Sequence, residues 1–195
     1  MNAYEQMADV RAHDSFHPTQ DAQAMIATFH PPTTRELALE LSAVTSAFYA
    51  VLLQAFADMH GSEGINVASR SFFHRLGRLK ARATQDSKGH AHRFTGDVRD
   101  VVTVLIAAIY NASPEYRFEV RRHDPQISEL HLRGTDRYLR AARQLNIAQH
   151  LQWPTLHPFL EGVAAELQID AVVSSDVLSE GPDAALHTRY VIAAV

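Results

Sequence analysis

Three residues in "MHGSEGINVASRSFFHRLGRLKARA", positions 59–83, have the types and spacing of a proton-transfer site. Glu63, Arg70 and His74 follow one another at intervals of seven and four, so a helix lines them up on one side. Glu63 is then a candidate general base and His74 a second catalytic candidate. Arg70 is a candidate holder of a substrate carboxylate. The same row also describes the wet side of an ordinary helix, because Ile65, Phe72, Leu76 and Leu79 fall on the opposite side. Catalysis there requires a second layer or a partner over the row.

A second set lies further along. His131 shares a strand face with Glu119, Arg121, Glu129 and Arg133, and Asp176, His187 and Arg189 form a similar group near the end of the chain. Imidazole titrates near neutral pH, so His131 is a catalytic candidate and His187 a second acid–base group. His187 and Arg189 are also the candidate substrate-binding residues of this set. If the face is covered, these charges line a polar pocket for an anionic or zwitterionic small molecule. If not, they are the wet face of an antiparallel sheet.

Twelve histidines in 195 residues invite a metal reading. His90 and His92 in "GHAHR" have the closest spacing, but a zinc site needs further ligands and no HExxH pattern is present. His157, in "WPTLHPF" beside the single tryptophan, is expected to cap or pack. No cysteine is present, which excludes thiol nucleophiles, thiolate zinc sites and disulfides. There is no GxSxG, Walker loop or GxGxxG, and Gly77, Gly89 and Gly96 form no phosphate cradle. No metal and no cofactor are expected.

The composition is that of a globular domain, 46% hydrophobic and 21% charged, with a formal net charge of -4. That balance gives no basic field for nucleic acid. No signal peptide is expected. The longest apolar run, "AVTSAFYAVLLQAFADM", contains Thr45, Ser46, Gln54 and Asp58 and reads as a buried helix, not a membrane span. A cytoplasmic protein without membrane or nucleic-acid partners is expected, with a homodimer open.

The elements that must position these residues follow from periodicity. Residues 1–32 read as a loosely ordered extension, with a short helix around Asp21–Phe29, and 33–195 as one domain. Thr33 and Glu36 form a capping-box pattern. Behind it Leu37, Leu41, Val44, Phe48, Leu52, Ala55 and Met59 make one apolar stripe, predicting a central helix that stops at Gly61. The 59–83 stretch predicts a second helix, capped at Ser62, and "GDVRDVVTVLIAAIY" a third after a polar loop. Alternation in "EYRFEVRR" and "ISELHLRG" predicts a hairpin turning at Asp124–Gln126. Its register sets Val120 against Leu130, Phe118 against Leu132, Arg121 against Glu129 and Glu119 against His131. Helices follow from Thr135–Asp136 and from Pro154–Pro158. A second hairpin closes around Gly181 and Pro182, with Val173 opposite Ile192 and Asp176 opposite Arg189. The predicted fold is α+β: helices, then hairpin–helix–helix–hairpin, giving a four-stranded, mainly antiparallel sheet with helices on one face.

Three stretches carry a family resemblance: "FYAVLLQAFADMHGSEGINVASRSFFHRLGRLKAR", "YRFEVRRHDPQISELHLRGTDRYLRAARQLNIAQHL" and "LQIDAVVSSDVLSEGPDAALHTRYVIA". Over residues 48–195 the chain resembles the L-2-amino-thiazoline-4-carboxylic acid hydrolase-like family, itself related in shape to vinyl-reductase-like small-ligand domains. Family members often carry cysteines where this chain reads "RGTDRY" and "ALHTRYV", so thiol-dependent hydrolysis is impossible here. Glu63 and Asp170 match family-like acidic positions.

The resemblance implies a hydrolase-like enzyme of small, amino-acid-derived rings in bacterial specialised metabolism. The leading expectation is therefore acid–base hydrolysis or rearrangement at a C–N centre of a small polar or carboxylate-bearing substrate. The alternatives are a non-catalytic ligand-binding or sensory module, and a histidine-ligated metal or haem protein.

Overall fold

Thr33 opens the first helix as its pattern requires. Its hydroxyl accepts from the Glu36 backbone N–H at 3.2 Å, and the Glu36 carboxylate accepts from the Thr33 N–H at 3.1 Å. In the computed structural model of the chain this helix, α1, spans Thr34–His60 and ends at Gly61, whose φ of 82° suits glycine. The structure describes residues 31–86 and 94–195, and before them His13, Ser15, His17, Pro18, Thr19, Asp21, Ala24 and Thr28. Most of the expected Asp21–Phe29 helix, and both His90 and His92, lie outside the described residues.

Beyond α1 the order is α2 (Ile65–Asp86), α3 (Val98–Ala112), β1 (Tyr116–His123), β2 (Ile127–Thr135), α4 (Arg137–Gln144), α5 (Leu156–Leu167), β3 (Ala171–Glu180) and β4 (Ala185–Ala194). The strands form one antiparallel sheet in the order β1-β2-β4-β3. The α+β architecture and both hairpin turns are as expected.

The expected pairs hold between Val120 and Leu130, Phe118 and Leu132, Glu119 and His131, Val173 and Ile192, and Asp176 and Arg189. One pair does not. A bulge after Val120 takes Arg121 out of the ladder and sets Arg122 opposite Glu129. A second bulge, between Val177 and Ser179, interrupts β3. Leu130, Leu132, Tyr190 and Ile192 on the inner face are fully buried under the helices.

The central helix is α3, not α1. Val98, Val101, Val102, Val104 and Leu105 of α3 are completely buried. The α1 stripe that predicted a central helix faces outward: Leu41, Val44, Phe48, Val51, Leu52 and Met59 are 51–71% exposed. The face of α1 turned to the domain is Ser42, Ser46, Tyr49, Ala50 and Leu53. That face mixes small residues with Tyr49 and Leu53, whose ring and side chain join the core. By length and composition α1 is the one helix among the described residues that could cross a membrane, and 28% of its most apolar window is buried.

The buried line of α2 is likewise rotated from expectation, to Ile65, Ser69, Phe73, Gly77 and Ala81. Phe72 and Leu79 are exposed, and Gly77 is buried. Ser62 begins a short 3-10 turn and makes no side-chain cap. Gly77 sets the packing: a Cβ there would overlap the Phe159 carbonyl of α5, and a Cβ on Gly162 of α5 would overlap the His74 carbonyl. The two backbones touch at this crossing. It brings Arg70, Arg78 and Arg82 of α2 against Glu161 and Glu166 of α5.

Candidate functional site

The crossing of α2 over α5 leaves a groove at their Arg70–Glu161 end. It is lined by Ser69 and Arg70 of α2, the segment Gln152–Thr155, His157 and Pro158 of α5, and Ser175 of β3, around a volume of about 200 Å³. Each side chain has a local reason to be there. Ser69 and Arg70 follow the close α2 contact line. Ser175 sits on the inner face of β3, between Val173 and Val177 in the alternation. Gln152 is tied to α2 through its backbone N–H, which donates to Asn66 Oδ1 at 2.9 Å.

A hydrogen-bonded chain runs through the groove. His157 Nδ1 lies 2.8 Å from Ser175 Oγ, and His157 Nε2 lies 3.2 Å from Glu161 Oε1. Glu161 Oε2 accepts from Arg70 at 3.2 Å, and Arg70 also donates to Gln152 Oε1 at 3.4 Å. A serine hydroxyl, an imidazole and a carboxylate are thus in sequence, the order in which an activated nucleophile or water is held for proton removal. Thr155 adds a free group. Its hydroxyl is buried without a partner and makes no helix-capping bond, although Thr155 is the N-cap of α5. A buried, unpaired hydroxyl costs stability unless something occupies it.

Of the sequence candidates on α2, only Arg70 enters this groove. Glu63 is exposed in the turn before α2. His74 is half-buried and supplies its carbonyl to the Gly162 contact. The row of Glu63, Arg70 and His74 therefore does not converge. His157 takes a larger part than its expected capping role, because both ring nitrogens are engaged with polar side chains. Its i,i+4 relation to Glu161 was the available signal. Ser175 and Thr155 carry no spacing signature.

The remaining candidates gather on the outer face of the sheet. His131 Nδ1 is 3.0 Å from His187 Nε2, and His131 Nε2 is 2.8 Å from Glu129 Oε1. The same Glu129 oxygen accepts from Arg189 Nε at 3.2 Å. Arg189 also lies 3.8 Å from Asp176. The two sets expected on separate hairpins meet because β2 pairs with β4, and Glu119, Arg121 and Asp176 around them are about half exposed or more. With Glu129 ionised, His131 holds its proton on Nε2 and accepts at Nδ1, so His187 donates from Nε2.

Burial, with Arg133 and His131 next in order, lowers the His187 pKa, so the folded state favours neutral imidazole. The His131 hydrogen bond, with Arg189, lowers that of Glu129. For a histidine with a depressed pKa, the unfolded chain takes up the proton first as pH falls below about 6.5. Folding stability should therefore fall on acidification through that point. A His187→Gln variant keeps an N–H donor and removes the titration. Urea unfolding at pH 7.5 and pH 5.5 should show a smaller loss for His187→Gln than for the native chain.

Among the described residues no three His, Asp or Glu side chains are grouped to hold a metal ion. An apolar cavity of about 170 Å³ lies between α2, α3, α4 and α5, with Phe73, Leu105, Ile109, Tyr138 and Phe159 in its walls. Arg137 also lines it, buried, with its Nε unpaired. No protein-family model matches the chain, and no curated protein matches it significantly.

Proposed function

We propose that the chain is an enzyme that hydrolyses a C–N bond in a small, polar, carboxylate-bearing molecule, and that the reaction takes place in the groove between α2, α5 and β3. The observation that carries this reading is the Ser175–His157–Glu161 chain beside Arg70. His157 Nδ1 takes a proton from the attacking oxygen, that of Ser175 or of a water in its place. Glu161 steadies the imidazolium through Nε2. The oxygen adds to the carbon, and the C–N bond breaks as the leaving nitrogen takes the proton back from His157. If Ser175 is the nucleophile, a water then repeats the sequence to release the acyl group. Arg70 offers its guanidinium to the substrate carboxylate, exchanging the half-exposed Glu161 pairing for a charge-assisted one. The Thr155 hydroxyl donates to the oxygen on which negative charge develops.

Trp153 is the only tryptophan and lines the groove, so its fluorescence reports occupancy directly. The experiment titrates N-acyl and N-carbamoyl amino acids against Trp153 emission and then assays free amine. A compound that quenches Trp153 should be hydrolysed by the native chain. His157→Gln should quench equally but lose about 100-fold or more in turnover. Arg70→Met should need roughly ten times more ligand to quench, the loss of one charge-assisted pair. Unchanged Trp153 emission across the series, or undiminished turnover in His157→Gln, overturns the assignment.

The apolar cavity favours a second reading, a ligand-binding module, because no histidine or carboxylate lies in its walls. Indole or benzoate raising the melting temperature, with no amine release from any compound, supports that reading over the first.

A further inference from the structure

We infer that α1 is the contact helix of a two-fold dimer formed by two copies of this chain. The apolar stripe on α1, exposed except at half-buried Leu37, occupies positions 37, 41, 44, 48, 52, 55 and 59. Its intervals are four, three, four, four, three and four, which read the same in both directions from Phe48. Such a stripe is complementary to itself when two helices run antiparallel across a two-fold axis at Phe48. Leu37 then faces Met59 of the other copy, Leu41 faces Ala55, Val44 faces Leu52, and the two Phe48 rings meet. An interface of this kind closes on itself and builds no filament.

The dimensions suit it. Twenty-seven helical residues extend about 40 Å. The six large exposed side chains, Leu41, Val44, Phe48, Val51, Leu52 and Met59, at roughly 100 Å² apiece give about 600 Å² per copy. That is about 1,200 Å² in all, the lower end of stable interfaces. Phe72 of α2 stands beside the stripe against Tyr49, with ring centroids 5.5 Å apart, and widens it. An apolar patch of this extent is unusual on a free surface.

Charge distinguishes this occupant from a lipid surface. Glu40 and Asp58, both exposed, lie on one flank of the stripe. Acids beside an apolar face repel anionic lipid, where membrane-lying helices carry lysine and arginine. The opposite side of α1 is committed to the domain, where Ser42 receives a hydrogen bond from Arg137 at 2.6 Å. In the dimer Glu40 of one copy comes near Asp58 of the other at the solvated rim. Salt screens that repulsion, so the dimer should tighten as salt rises.

Light scattering behind size exclusion, at tens of micromolar protein, is expected to give twice the 21.7 kDa chain mass. Phe48→Glu places two like charges on the axis. Because Phe48 is 66% exposed the fold should survive, as circular dichroism checks. This variant should be monomeric, with dimer dissociation raised on the order of 100-fold. The chain has no native thiol, so Phe48→Cys gives one pairing only. It should form a disulfide-linked dimer under mild oxidation, whereas Val172→Cys, on the outer sheet face, should not.

A native chain that is monomeric at these concentrations overturns the proposal. So does a dimer that Phe48→Glu leaves intact, or a Phe48→Cys chain that links no faster than Val172→Cys. A monomer that sediments with phosphatidylcholine vesicles, and ceases to in Phe48→Glu, assigns α1 to a lipid surface instead. A monomer destabilised by Phe48→Glu assigns the face to the first thirty residues of the same chain.

Discussion

Gly77→Ala should destabilise the protein by roughly 3 kcal/mol, a large effect for one methyl group. Alanine favours a helix by about 1 kcal/mol over glycine, so the sign is opposite to propensity. The reason is what the methyl meets. At Gly77 it lands on the Phe159 carbonyl of α5, and backbone cannot rotate aside as a side chain can. The helices must separate, which draws Arg70 away from Glu161 and opens the groove. Gly162→Ala should behave alike, because its methyl meets the His74 carbonyl. The two together should cost less than the sum, since the first already parts the helices. Gly64→Ala is the control. Its methyl meets only the Phe56 ring, a movable group, and should cost well under half as much. Urea unfolding of the four variants checks the order.

Arg137→Met should cost about 3–5 kcal/mol, for a different cause. Arg137 is 6% exposed and joins three segments. It donates to Ser42 Oγ of α1 and to the Ala112 carbonyl closing α3, each at 2.6 Å, and to the Tyr138 hydroxyl at 2.7 Å. Ser42 in turn donates to Glu115 Oε1 at 2.6 Å, so the guanidinium balances that carboxylate through one hydroxyl. Methionine fills the volume but leaves Glu115 without its counter-charge and the Ala112 carbonyl without a donor. Glu115→Gln in the Arg137→Met background should restore about 1–2 kcal/mol, the relief of a half-buried, unbalanced charge. If Glu115→Gln is equally costly in both backgrounds, the two charges are not coupled.

These two sites show what periodicity reads well and what it does not. The sheet was legible, because alternation carries both the burial side and the partner: Leu130 with Val120, Ile192 with Val173, Arg189 with Asp176. Alternation also put His131 and His187 on the polar side of their own hairpins, but the β2–β4 pairing that joins them left no mark in the sequence. The burial of α1 and α2 was misread, on α2 where close approach to α5 sets it. A search for large apolar residues selects Phe48, Leu52, Phe72 and Leu79, which are exposed. The buried lines pass through Ser42, Ser46, Ala50, Ser69 and Gly77, which look neutral in a sequence, as well as Tyr49, Leu53, Ile65 and Phe73. Nothing local marks Arg137, an arginine whose partners lie 25 and 95 positions away. The groove joins α2, α5 and β3, and of its polar members only the His157–Glu161 interval is local.

The two bulges have a consequence for aggregation. In the order β1-β2-β4-β3 the outer strands are β1 and β3, and these are the two that bulge, at Arg121 and at Leu178. A strand from another molecule adds to a sheet only where a run of free N–H and C=O groups lies straight. Each bulge breaks that run, and the charged side chains of Arg117, Glu119, Arg121 and Arg122 line β1. Both edges are thus poor templates for amyloid-like stacking, although the same chain carries a wide apolar face on α1.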